Sequence, residues 1–346
     1  MTLLSDIEDN PNLKCFNRER RQMMMKKFFA LTLILTVLAF VTPAGAKTFG
    51  IGTTGPGSLT HSTGSAIARL VADQTGLQMR IQPHGGNNVA VPATNAGEVD
   101  FTVASNYELN DALAGTGIYK GQVLSNLRAV GVLMPLRNTF WVKKNSPIKT
   151  LKDLKGKRVP GVFASQKIVG LLATALLANA GLTWDDVKMV PVPNVLRNAD
   201  DFAANRTDTF FFAIGSGKVR EVGAKVGGLR GLPVDPSPEA MARAHKIVPV
   251  IYPMTVGPSK ANYGISKPTV ISANDFVFIT STKVSEDVVY QITKAIYGGK
   301  KAMFASFKPL GANFSQDNMA KILPAGEYHP GAIKFYKEVG KWPPKK

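Results

Sequence analysis

Hydrophobic and polar positions alternate along this chain in blocks. A few β-branched or apolar residues are followed by ten or more at helical spacing, and that alternation predicts a layered α/β fold with parallel strands. The block Thr48–Ile51 reads as a strand that closes in Gly52-Thr53-Thr54-Gly55-Pro56-Gly57-Ser58. A helix follows, with Ile67, Leu70, Val71 and Gln74 on related faces. Met79–Gln82 reads as a strand running into His84-Gly85-Gly86-Asn87, and a short helix then leads to Gly97. The strand Asp100–Ala104 ends at Ser105-Asn106, with Asn106 as the expected N-cap of a helix over Tyr107–Ala114. Three times in succession, a strand's carboxyl end meets a polar loop that opens a helix. Ligands of open α/β sheets bind at that edge, where helix N-termini offer unpaired N–H groups and partial positive charge to a carboxylate or phosphate.

The pattern continues with strands at Leu127–Leu133 and Phe140–Val142. A short helix at Ile148–Leu154, a glycine turn and the strand at Arg158-Val159 come next, then a helix over Ile168–Asn179. Thr183 with Asp186 has capping-box spacing. Strands follow at Met189–Val192, Thr209–Ala213 and Leu229–Leu232, a helix near Glu239–His245, and a strand over Val270–Thr280. Ser285 is expected to cap one long helix through Ala305, and Pro330–Val339 the last helix. The alternation divides into one domain on two segments, 47–138 with 270–346, around a middle domain, 139–269, so that two chain crossings form a hinge. No internal repeat, coiled coil or low-complexity tract appears.

The N-terminal region changes the picture of where the chain works. Lys26-Lys27 precede an apolar run from Phe28 to Val41, then Pro43 and the small-x-small site Ala44-Gly45-Ala46. Fourteen residues are short of the roughly 20 that a spanning helix needs. The segment 23–46 reads as a secretory signal peptide with cleavage after Ala46, and the chain is expected in the periplasm. Residues 1–22 are polar and unlike a signal n-region, so translation is expected to start at Met23, Met24 or Met25. A signal-anchor is the alternative. The single cysteine, Cys15, falls in the removed part, so the mature chain depends on core burial rather than disulfides.

The first 46 residues hold six of the 42 Lys and Arg and four of the 24 acids, leaving the rest at +16. The basic residues are scattered, with no basic helix or aromatic-interleaved run, so nucleic acid is not an expected partner. An anionic small molecule, an anionic membrane surface, or solubility alone accounts for the charge.

No catalytic constellation emerges. Gly50-Ile51-Gly52-Thr53-Thr54-Gly55 fits the dinucleotide spacing, but Asp73 lies inside the next helix instead of ending a second strand, and a small-anion loop is the preferred reading. His61, His84, His245 and His329 lack metal-ligand spacing, so no metal or cofactor is expected; His61 and His84 are placed in cleft-facing loops. Ser105, Ser165 and Ser216 open helices, and Asp185-Asp186 and Asp200-Asp201 read as helix-start acids. Phe210-Phe211-Phe212 reads as a strand buried on both faces.

Several stretches carry a family resemblance. They are Ile51–Gly57, Gly85-Gly86, Ala96–Phe101, Leu151–Val159, Ala180–Val187, Glu286–Ala295 and Tyr328–Tyr336. Together they resemble the TAXI group of TRAP-transporter solute-binding proteins over essentially all of Lys47–Trp342. The resemblance implies a type II-like two-domain periplasmic binding protein, a monomer not embedded in the membrane. It would close on a small organic anion, with dicarboxylates and amino acids among the candidates, and deliver it to TRAP permease subunits. Thr60-His61 stand where the family often carries paired tyrosines, and Phe163–Lys167 replace a Gly/Ser-rich loop. Lys167 is therefore expected to pair with a ligand carboxylate and Phe163 to narrow the pocket. The expected contacts are Thr54, Gly55, Ser58, Thr60, His61, Gly86, Asn87, Ser105, Asn106 and Tyr107 from the first loops. Phe163, Ser165, Gln166, Lys167 and Ser216 are expected from the middle segment. A binding module for a sensor kinase and an exported enzyme on the same scaffold are the rival readings.

Overall fold

A computed structural model describes residues 23–25, 47–324 and 327–344. Met23–Met25 are helical and exposed; the rest of the expected leader and the extension before it lie outside the described residues. Everything below concerns the unit that begins at Thr48.

The strands are β1 (Thr48–Thr53), β2 (Gln78–Pro83), β3 (Phe101–Ser105), β4 (Leu127–Lys143), β5 (Arg158–Val162), β6 (Lys188–Val192), β7 (Phe210–Ala213), β8 (Leu229–Gly231), β9 (Tyr252–Val256) and β10 (Thr269–Ser281). Between them lie α1 (Leu59–Thr75), α2 (Asn87–Ala96), α3 (Asn106–Ala114), α4 (Lys167–Asn179), α5 (Val195–Ala203), α6 (Gly217–Lys225) and α7 (Pro238–His245). After β10 come α8 (Glu286–Gly298), α9 (Lys300–Ser306), α10 (Lys308–Asn313) and α11 (Pro330–Glu338). None of the described helices is long and apolar enough to cross a membrane.

One sheet runs β2-β1-β3-β10-β4-β7, with β8 on β4 and β9 on β10, and β5-β6 form a second. The pairs β1–β2, β1–β3 and β5–β6 are parallel, each bridged by a helix, as the alternating pattern predicts. The ladders of β4 and β10 are antiparallel. The two strands expected at 127–133 and 140–142 are one 17-residue strand. Each half of it finds a partner: Leu127–Asn138 pair with β10, and Asn138–Lys143 pair with β7 and β8. Pro135 is paired with Asp275 one residue pair from a register shift in the β4–β10 ladder, where Leu133 is passed over, and prolines within sheets are found next to such irregularities.

Local chemistry moved other expected boundaries. Ser105, not Asn106, caps α3: its hydroxyl accepts from Glu108 N at 3.1 Å, and the Glu108 carboxylate accepts from Ser105 N at 2.9 Å. Asp200 and Asp201 lie late in α5 instead of at its start, where Asp201 pairs with Arg197 and Arg206 and Asp200 with Lys218. The helix from Ser285 breaks at Gly299, where a Cβ would run into the Leu70 side chain of α1.

Apolar burial divides along the chain. One core joins β1, β3, the first half of β4 and the second half of β10 to α1, α8 and α11, drawing its buried residues from 49–134 and 276–336, with half-buried Leu136 and Ala213 packed against it. Two further cores draw on residues 140–271. They meet across β7, which alternates strictly: Phe210 and Phe212 enter one and Phe211 the other, all buried as expected.

Candidate functional site

Five strand-to-helix junctions point at one place. A cavity of about 90 Å³ is lined at the N-terminus of α1 by Ser58, Leu59 and Thr60, of α2 by Asn87, of α3 by Ser105 and Glu108, of α4 by Gln166, Ile168 and Val169, and of α5 by Val195. Thr54 closes it after β1, Phe211, Phe212 and Ala213 come from β7, and Leu136, Asn138 and Phe276 from the long strands β4 and β10; Leu172 completes the wall. The first N–H groups of each helix have no intrahelical acceptor, and helix dipoles add partial positive charge at the same ends.

Hydrogen bonds among the loops hold these ends in register. Ser58 Oγ caps α1 by accepting from His61 N at 3.2 Å, and Thr54 and Thr60 hydroxyls meet at 2.5 Å. Gln166 Oε1 accepts from Val195 N at 2.9 Å, so the residue that opens α4 also fixes the start of α5. Beside these loops, Lys218 N donates to Gly57 O at 3.2 Å and Gly86 lies against the carbonyl of Ser165.

Ten of the eighteen lining residues are apolar, and Glu108 is the one that carries an ionisable side chain. Burial pushes the Glu108 carboxyl above its usual range, opposed by hydrogen bonds from Ser105 N and the Asn87 amide. Asn87 Nδ2 donates to Glu108 Oε2 at 3.0 Å and to Val103 O at 3.2 Å. The described residues contain no group of three or more His, Cys, Asp or Glu able to hold a metal ion.

With this geometry in place, comparison with known proteins has a definite object. The profile of the NMT1-like family matches residues 51–340, nearly the whole described unit. The chain belongs to the NMT1-like family. Among solved structures, one described as a periplasmic transporter superposes with a TM-score of 0.58 at 14% identity, covering 86% of this chain and 94% of that one. The periplasmic binding protein BugD superposes at 0.52 with 11% identity, covering 85% and 95%. At these identities the likeness is one of fold: the NMT1-like chain has the α/β, type II-like fold of periplasmic binding proteins.

Of the residues expected from sequence, Thr54, Ser58, Thr60, Asn87, Ser105 and Gln166 line the cavity of this NMT1-like protein. Nine others lie off it. Gly55 faces Leu196, and Gly86 and Ser165 face each other. His61 sits half-buried in the first turn of α1. Asn106 is buried behind the wall, where its Oδ1 accepts from Asn274 Nδ2 at 3.3 Å, and Tyr107 donates to Ile247 O at 3.3 Å. Phe163 is buried edge-on to Phe211, 6.5 Å between centroids, and so backs the lining without forming it. Lys167 is exposed, and Ser216 Oγ turns inward to donate to Ala213 O at 2.9 Å. His84, placed in a cleft-facing loop by the sequence, is likewise absent from the lining.

The lining residues that sequence reasoning missed fall in two groups. Leu136, Asn138 and Phe276 belong to strand interiors, and apolar periodicity marks such positions as core without telling which face a ligand. Glu108 reads as an ordinary first-turn acid; its Ser-x-x-Glu spacing was available as a capping-box signal, but only the approach of Asn87 puts it in the cavity wall.

Proposed function

We propose that this chain is a periplasmic solute receptor that encloses a small organic molecule in the cavity and hands it to membrane permease subunits. The observation that carries this reading is the convergence of five helix N-termini, from distant parts of the chain, on one mainly apolar cavity. Such a space sequesters a ligand and orients it with a few polar groups. Two lobes, 47–138 with 270–346 and 139–269, would close on the solute, and the division of the apolar cores between those segments supports that boundary. The helix termini favour a carboxylate-bearing solute, as expected for an organic anion. Residues Thr54, Ser58, Thr60, Asn87, Ser105 and Gln166 are its proposed polar contacts, with Gly55, Gly86 and Ser165 shaping the closed mouth. Export rests on the 23–46 leader pattern, and delivery to a TRAP-type permease on the sequence resemblance.

The test is thermal unfolding of the purified, refolded protein against a panel of organic acids and amino acids. A ligand present at a thousand times its dissociation constant stabilises the folded state by about 4 kcal/mol. A rise of several degrees with one chemical class supports the reading. A flat response across the panel, with no small molecule released on unfolding the native preparation, refutes it.

A further inference from the structure

Two buried acceptor atoms on residues that line the cavity have nothing to accept from among the described residues. Glu108 Oε2 takes hydrogen bonds from Ser105 N and Asn87 Nδ2, but the buried Oε1 has no partner among the described residues. Asn87 spends its amide on Glu108 Oε2 and Val103 O, and its buried Oδ1 is likewise without a partner. Glu108 is 2% exposed and Asn87 7%, and both line the same cavity. A buried polar atom left unpaired is costly, more so for a charged group, so two such atoms on neighbouring, hydrogen-bonded residues call for a donor. The rest of the wall combines apolar side chains, Phe211, Phe276 and Leu172 among them, with neutral hydroxyls and amides, and holds no Lys, Arg or His.

We infer that the solute carries an amine, which donates to Glu108 Oε1 and Asn87 Oδ1 while an apolar body packs on Phe211, Phe276 and Leu172. This rests on the receptor reading and names the chemical class it takes. Glu108 is then the specificity-determining residue: a solute lacking the amine leaves a buried carboxylate unpaired, and sites built around a hydrogen-bonding group reject the analogue without it more strongly than sites that measure size. The N–H groups at the starts of α1 and α4 remain for a carboxylate where the amine bears one.

Matched probes test it. Calorimetric titration of the purified protein compares L-valine with 3-methylbutanoate and L-leucine with 4-methylpentanoate, with 3-methylbutylamine as an amine lacking the carboxylate. The amine-bearing member of a pair should bind at least about tenfold tighter than its partner. Glu108→Gln, which keeps an acceptor for Ser105 N, should bring that ratio near one. Glu108→Asp, which keeps the charge and shortens its reach, should weaken the amine-bearing member and serves if the glutamine variant does not fold. Equal or tighter binding of the des-amino acid overturns the inference and leaves the receptor reading standing, as does an amine preference that survives both variants. Absence of binding by every probe, with no small molecule released from the native preparation, overturns both.

Discussion

Gly86 lies against the main-chain carbonyl of Ser165 with no room for a methyl group: a Cβ on Gly86 would overlap that oxygen and crowd Gln166 Cγ. The backbone at Gly86 is extended, φ −176°, so the glycine is there for the close approach and not for an unusual conformation. This contact brings the start of α2 to the start of α4, next to the lining residues Asn87 and Gln166. Gly86→Ala should therefore leave the protein folded but hold the mouth open. Ligand affinity should fall at least about tenfold, with a larger radius of gyration in solution scattering; unchanged affinity would show that the contact does not govern closure.

Phe211 carries load on two sides, lining the cavity and packing edge-on against Phe140 at 5.3 Å and Phe163 at 6.5 Å. Truncation to alanine removes a fully buried ring whose neighbours are fixed on strands. Phe211→Ala should cost about 3–5 kcal/mol of stability, measured by denaturant unfolding. A loss below about 1 kcal/mol would mean that the surrounding core collapses into the space.

Glu108 should cost the unliganded protein stability at neutral pH. Its folded-state pKa is raised, chiefly by burial, so its favourable contribution is present below the unfolded value of about 4.3 and is lost as pH rises through the folded value. The difference in unfolding free energy between wild type and Glu108→Gln should therefore swing toward the variant as pH rises from 4 to 8. A difference that does not change with pH contradicts this.

His329 works in the opposite direction. It is 2% exposed and caps α11, its Nδ1 accepting from Gly331 N at 3.2 Å while Nε2 donates to Val284 O at 3.0 Å. Burial holds its pKa below the ordinary imidazole range, against the hydrogen bond to Val284. Its contribution is present above the unfolded value of about 6.5 and is lost as pH falls through the folded value, because protonating Nδ1 removes the capping acceptor. Stability of the wild type relative to His329→Asn, whose amide oxygen caps without titrating, should decline below about pH 6. Parallel pH profiles would exclude the cap as the cause.

Much of this was written locally. The 3.6-residue spacing of Ile67, Leu70 and Val71, the Thr183–Asp186 box and the three Phe residues of β7 each specify their element through neighbours a few positions away, and the structure places helix, box and strand there. The strand-end loops at Thr54–Ser58, Gly86-Asn87 and Ser105 were legible as a candidate binding edge for the same reason: each follows an apolar strand and opens a helix within a few residues.

What the sequence by itself determined is thus the class of fold and the edge of the sheet at which the candidate cavity forms, since both follow from short-range periodicity. Only the tertiary structure decided which residues face the cavity. Sequence spacing singled out Asn106 and Lys167 as helix-start residues and passed over Glu108. Packing turned Asn106 toward Asn274, left Lys167 in solvent, and set Glu108 beside Asn87 with an oxygen unpaired. Those outcomes depend on contacts between residues 21 to 168 positions apart, and no local pattern encodes a partner at that distance. The continuous strand β4 has the same origin: Pro135 reads locally as a break, and the partners that carry the ladder past it, β10 and β7, arrive more than seventy residues later.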